Sequence, residues 1–263
     1  MSYKAAGRFL LPMAGARNLI MVLGAVAIAL LLIVAVLHPF QPENGGGATP
    51  SYLQWGTFTK LSGSSFGNTT HIYYISWYGC PIGAADSWAF YVALSALGNI
   101  SAYAAPHYSD PADNPPSLPG LIFSDSFSAG SVRVQAYYIY NEYLNVSTSG
   151  VPLNSGNTIS VGMAELQSSL PPSIYSLEFS AMEKIPTDGM PGASSPAPSA
   201  LHLTHVNTNI IITGPHGAWI LNGPLYSPAY LAGKNSTALK SSVFSDSTIT
   251  GAAASVTSIL NGA

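Results

Sequence analysis

Charge is what this chain has least of. Only 7% of its 263 residues are Asp, Glu, Lys or Arg, against about a quarter in an ordinary globular protein. Eight basic residues set against 11 acidic ones cannot neutralise a run of phosphates, which excludes a nucleic-acid partner. There is one cysteine, which excludes an internal disulfide framework, a zinc ribbon and a self-contained dithiol redox pair. No H-E-x-x-H, P-loop or dinucleotide fingerprint is present, so no cofactor is expected. What the chain does have is apolar and aromatic mass. At 48% hydrophobic with 15 tyrosines it can bury a core, which excludes charge-driven disorder.

The longest apolar run is Leu19–Leu37, LIMVLGAVAIALLLIVAVL. As a helix it is about 28 Å long, close to the hydrocarbon thickness of a bilayer. His38-Pro39 ends it, because proline cannot continue the backbone ladder. Lys4, Arg8 and Arg17 precede the run, and every acidic residue follows it. The positive-inside rule therefore predicts a cytoplasmic N-terminus at residues 1–17, a transmembrane helix at residues 18–38, and the remainder outside the cell. The competing reading is a cleaved signal peptide. It fits less well, since the run exceeds the ~7–15 residues of a typical signal core and no clean A-x-A site follows.

Beyond the span, five basic residues (Lys60, Arg133, Lys184, Lys234, Lys240) face 11 acidic ones, a net −6. Ser, Thr, Asn and Gly supply most of the polarity, so protonating the carboxylates changes the surface charge little; an acidic exterior is the expectation. Four N-x-S/T sequons, at Asn68, Asn99, Asn145 and Asn235, are the expected glycosylation sites of a segment held outside the cell.

Residues 39–51 (PFQPENGGGATPS) read as a linker and residues 52–263 as the folded part. His71–Trp77 (HIYYISW) predicts a buried strand. Gly79-Cys80-Pro81 predicts a turn and Ala84–Leu97 a helix, with Trp88, Tyr91, Val92 and Ser95 on one stripe. Residues 106–120, rich in Pro, Asp and Asn, read as a loop, and residues 186–199 as a flexible connection. Leu121–Phe123, Val132–Tyr140, Leu201–Val206 and Asn209–Thr213 read as extended, with Gly217–Leu221 as a hairpin partner after Gly214-Pro215. Helices are expected around Ala238–Phe244 and Ile249–Leu260. The order implies an α/β sandwich. The tyrosines of the strands, Tyr73, Tyr74, Tyr137, Tyr138 and Tyr140, are expected in core and cross-strand packing.

The informative stretch is Trp77-Tyr78-Gly79-Cys80-Pro81-Ile82-Gly83-Ala84-Ala85-Asp86-Ser87-Trp88. A strand runs into a cysteine at a helix start, where unpaired N–H groups and the helix dipole favour a thiolate. This arrangement resembles thioredoxin-like proteins, whose second cysteine would stand at Gly83. The region, with Ala93-Leu94-Ser95-Ala96-Leu97-Gly98-Asn99-Ile100-Ser101 and Tyr226-Ser227-Pro228-Ala229-Tyr230-Leu231-Ala232-Gly233, resembles the archaeal thioredoxin-like family catalogued as domain of unknown function 929, over roughly residues 52–260. The resemblance implies a membrane-anchored, thioredoxin-like sandwich. It also implies two departures at the redox centre: Gly83 for the resolving cysteine, and Thr204 for the cis proline that thioredoxins place beside the thiol.

Three functions remain open. The leading expectation is a degenerate, non-catalytic domain that binds or scaffolds other membrane or cell-surface proteins. A single-cysteine thiol-disulfide oxidoreductase would use Cys80 with an external thiol, since release of a mixed disulfide needs a second one. A copper-binding or metal-delivery protein would join Cys80 to His205, with Thr204 beside it. No three-ligand metal site is expected. Asp86 is expected to favour the helix dipole, or to accept a proton near Cys80.

Overall fold

The computed structural model describes residues 49–124 and 127–263. The expected cytoplasmic segment and membrane span, residues 1–17 and 18–38, lie outside the described residues, as does most of the linker. Among the described residues no helix is long and apolar enough to cross a membrane.

The elements in chain order are β1 (Leu53–Gln54), β2 (Phe58–Ser62), β3 (Thr70–Ser76), α1 (Pro81–Ser95), β4 (Ala104–Tyr108), β5 (Pro119–Phe123), β6 (Ser128–Ala129), β7 (Val132–Tyr138), α2 (Thr158–Ser169), α3 (Pro172–Glu183), β8 (Pro186–Asp188), β9 (Ala197–Pro198), β10 (Asn209–Gly214), β11 (Gly217–Asn222), α4 (Ser236–Ser242) and α5 (Ser247–Gly262). The fold is mixed α/β. Its main sheet runs β2-β11-β10-β3-β7-β6. β3 pairs in parallel with β7, and every other neighbour is antiparallel. A parallel pair needs a long crossover; α1 and the separate β4–β5 hairpin supply it.

Strand parity separates two cores. Ile72, Tyr74, Ile210 and Ile212 join Trp88, Phe90 and Leu94 of α1 and Ile249 and Val256 of α5. Tyr73, Ile75, Ile211 and Ile220 point the other way, to Met163 and Leu166 of α2 and Ile174, Ala181 and Met182 of α3. The central strands are thus covered on both faces, which is why β3 and β10 read as near-continuous apolar runs. Each fully buried Ile is worth about 1.5–3 kcal/mol relative to exposure.

α1 is buried nearly all round because it lies between the sheet, β5 and α5. Gly120 of β5 makes the approach possible: a Cβ there would sit 2.7 Å from Ala84 Cα. Trp88 Nε1 donates to Pro119 O at 2.8 Å, and Ser87 Oγ accepts from Leu121 N at 2.9 Å.

Several expectations need correction. The proposed loop at 106–120 begins inside β4, whose backbone is satisfied by β5 despite Pro106. Leu201–Val206 is not a strand: a 3-10 turn spans Ser199–Leu201 and irregular backbone follows. The connection 186–199 carries β8 and β9, and β8 pairs with β1. Helices α2 and α3 were not anticipated at all. By contrast Tyr73, Tyr74 and Tyr140 are buried as expected.

Candidate functional site

β3 ends at Ser76, and the chain turns through Trp77-Tyr78-Gly79 into α1. The turn closes by Cys80 N donating to Trp77 O at 3.1 Å, and Gly79 O accepts from Asp110 N at 2.9 Å. Gly79 is obligatory, since a Cβ there would run into Glu142 O and the Trp77 ring. Cys80 is the N-cap and Pro81 stands at N1, where a missing N–H costs nothing.

The thiol is only 2% exposed. Its sulfur accepts from Gly83 N at 3.4 Å and from Thr208 Oγ1 at 3.1 Å. Thr208 Oγ1 lies 2.7 Å from Ser76 Oγ; with its own proton on the sulfur, Thr208 receives one from Ser76. Two forces oppose each other here. Burial pushes the thiol up, and the bonds from Gly83, Thr208, Ile82 and Ser76 pull it down; burial prevails. The group is a neutral thiol at neutral pH, and the helix terminus does not make it a thiolate.

Gly83, at the position where the resemblance puts a second cysteine, has no room for one. A Cβ there would overlap Ser76 Oγ and lie 3.1 Å from Thr208 Oγ1 and 3.3 Å from Ser76 Cβ. Ser76 and Thr208 fill the space that a second side chain would need.

The residue set against the thiol is Thr208, immediately before β10, and not Thr204. Thr204 is exposed, and its Oγ1 lies 3.2 Å from His205 Nδ1. His205 lies edge-on to Trp77, with ring centroids 5.5 Å apart, and burial lowers its basicity. The histidine sharing a cavity with Cys80 is His107 on β4. That cavity is about 10 Å³, also bounded by Tyr74, Gly83 and Tyr138, and His107 Nε2 is buried without a partner. Among the described residues no three His, Cys, Asp or Glu side chains converge as metal ligands. A larger groove of about 710 Å³ lies alongside, with Tyr78 and Tyr138 belonging to both walls. Those two rings stack at 4.8 Å.

Asp86 is fully buried on α1. Its Oδ1 accepts from Leu225 N at 2.8 Å while Oδ2 has no partner, and burial drives its carboxyl well above the usual range. It anchors the segment after β11 and makes no hydrogen bond to Cys80. Glu178 of α3, which the sequence reading passed over, is equally buried; burial pushes it to about 7 against one bond from Asn209. Its signal was the spacing Ile174, Glu178, Ala181, Met182, which places a carboxylate on an otherwise apolar stripe. A G-x-S-x-G run does occur at Gly63–Gly67, but it links β2 to β3 rather than a strand to a helix, and Ser65 Oγ accepts from Gly67 N. The sequon residues Asn68, Asn99, Asn145 and Asn235 are all exposed; Asn235 also caps α4 through Ala238 N.

No curated protein and no solved structure matches the chain. A family model described as Domain of unknown function (DUF929) matches residues 57–262. That match runs from the approach to β2 through α5, well over half of the chain, and the protein belongs to this family.

Proposed function

We propose that this protein is a membrane-anchored, extracytoplasmic thioredoxin-like domain that binds other membrane or cell-surface proteins without catalysing thiol exchange. The neighbour order β11-β10-β3-β7 supports the fold assignment: a parallel pair joined through a helix, an antiparallel hairpin beside it, and a final helix returning to the face of the first. The Leu19–Leu37 run and the basic residues before it support the anchor and its direction. The four exposed sequons agree with an exterior location.

One observation carries the functional reading. Cys80 is buried, hydrogen-bonded as an acceptor, raised in pKa by burial, and faces Ser76 and Thr208 where a redox partner would stand. An attacking thiol needs access and thiolate character, and this one has neither. Fold analogy supplies the scaffold and not the reaction. The test is capture of partners after gentle detergent extraction of the full chain, alongside its Cys80→Ser variant. The reading expects the same partners with both. Partners held only by the wild type, through bonds that reductant cleaves, would replace it with the oxidoreductase.

A further inference from the structure

Glu178 Oε1 accepts from Asn209 Nδ2 at 2.7 Å, and Glu178 Oε2 has no partner. Asn209 Oδ1 has none either, although both residues are completely buried. Asn222, opposite Asn209 in the β10–β11 ladder, spends its amide on Ser199 Oγ at 3.0 Å, and its Oδ1 is a third buried acceptor without a donor. Against these three unmet acceptors stands one unmet buried donor, Asn207 Nδ2, two residues before Asn209, so acceptors remain in excess. An unmet buried polar group is costly, and more so where it is charged.

Among the described residues no cation corrects the excess. The elements packed against α3 include α2, β9, the Ser199–Leu201 turn and β10, and residues of β3 and β11 share its core. Their titratable side chains on this face are Glu165 of α2, which bonds to Ser149, and Tyr73 of β3 with His71 stacked on it; none of them is a cation bonded to Glu178. On α3 itself are Tyr175 and Glu183, and Lys184 just beyond lies over the Phe179 ring. No charged neighbour enters the balance that sets Glu178: burial pushes it up and the Asn209 bond pulls it down. The missing donor is a proton. Placed on Oε2, it turns one orphan acceptor into a donor among the unmet acceptors of this corner and removes a buried charge.

The position of Asn209 gives that proton a consequence. It opens β10 directly after Thr208, the residue that covers the Cys80 sulfur, and it pairs with Ile75 beside Ser76. We propose that Glu178 is a proton-operated latch on the first residues of β10: protonated, it holds Asn209 and with it Thr208 over Cys80; ionised, it draws water to the start of β10 and loosens that cover. The latch closes in acid, because the carboxyl sits at about 7, above its ordinary 4.5. It rests on the buried thiol of the reading above and adds a regulation to it.

The experiment is N-ethylmaleimide labelling of the full-length protein in detergent micelles. Rates are divided by those of the same protein in urea at each pH, which cancels the intrinsic thiol titration. Between about pH 5 and about pH 8.5, protection of Cys80 should fall by at least about tenfold, while Glu178→Gln, neutral throughout, stays within about threefold. Equal pH dependence in both proteins overturns the latch. So does protection that follows added or chelated calcium instead of pH, which would make the oxygen cluster a cation site. Should Glu178→Gln fail to fold, hydrogen exchange at Thr208–Ile210 of the unaltered protein reads the same motion; corrected for intrinsic rates, it must quicken on leaving acid, and a pH-independent result overturns the proposal. Cys80 labelling as fast in the micelle as in urea near pH 5 would instead refute the buried thiol, and with it the partner-binding reading.

Discussion

Restoring a second cysteine is the sharpest test of the thiol site. In Gly83→Cys the new Cβ overlaps Ser76 Oγ and presses on Thr208 Oγ1 at 3.1 Å, both held in one buried hydrogen-bonded chain. Overpacking of this kind costs about 1–3 kcal/mol. The overlap with Ser76 Oγ puts the cost in the upper part of that range, about 2–3 kcal/mol; replacing a helical glycine returns about 0.5–1 kcal/mol, so the net loss is about 1–2.5 kcal/mol. For a domain of this size that lowers the melting temperature by about 2–10 °C. Ser76→Ala removes the overlapping oxygen and leaves a Cβ contact of 3.3 Å, which small shifts can absorb. The double variant Ser76→Ala/Gly83→Cys should therefore be more stable than Gly83→Cys alone, although Ser76→Ala by itself loses the bond to Thr208 and is destabilising. Thermal unfolding by circular dichroism, with thiol titration before and after mild oxidation, measures both effects. A single Gly83→Cys variant that melts like the wild type and oxidises readily to a Cys80 disulfide would refute the claim that Ser76 and Thr208 occupy the second position.

Two further outcomes follow from the same physics. Stability should rise as pH falls from about 8 to about 5. Glu178 is raised to about 7 in the fold, so its contribution is complete below the unfolded value near 4.5 and lost as pH rises through about 7; at 1.36 kcal/mol per unit this is worth about 3 kcal/mol. Asp86 acts in the same direction; His205, whose basicity burial lowers, opposes it as pH falls through the ordinary histidine range, and Asp246, held low by Ile249 N, Tyr230 and Lys234 against burial, opposes it only in strong acid. A melting temperature equal or higher at pH 8 would refute the assignment. At the C-terminus, Asp246 caps α5 by accepting from Thr248 N at 3.1 Å and Ile249 N at 3.2 Å; Asp246→Ala should cost about 1–2 kcal/mol in urea unfolding and Asp246→Asn far less, and equal losses would show that charge and not capping matters there.

The parts of the fold that could be read in advance carry their pattern locally. HIYYISW needs both faces covered wherever it lies, Pro81 suits the first turn of the helix that the apolar stripe after it announces, and Gly214-Pro215 between two apolar runs turns the chain back. The unread parts take their structure from partners. The Ala-Ala-Pro-His-Tyr of β4 is extended because β5 satisfies it. Of α2, only Thr158, Gly162, Met163 and Leu166 are buried, too few and too small to announce a helix; Gly162 is there because Tyr140 packs against it. The same division explains the error at the thiol. Which residue covers Cys80 is decided by the register of β10 on β3, Asn209 opposite Ile75, and not by any property of Thr204 or Thr208 alone. One register also places Thr208 over the sulfur, brings its hydroxyl to Ser76, and presents Asn209 to Glu178. A glycine at 83, a hydroxyl at 76 and a hydroxyl at 208 fit one another closely, and no single one can enlarge without displacing another. That mutual fit argues against a redox centre that has merely lost one sulfur. The hydroxyls and glycine of this corner lock one another in place, and the proposed freedom lies in the protonation of Glu178, the carboxyl bonded to Asn209 one residue past Thr208.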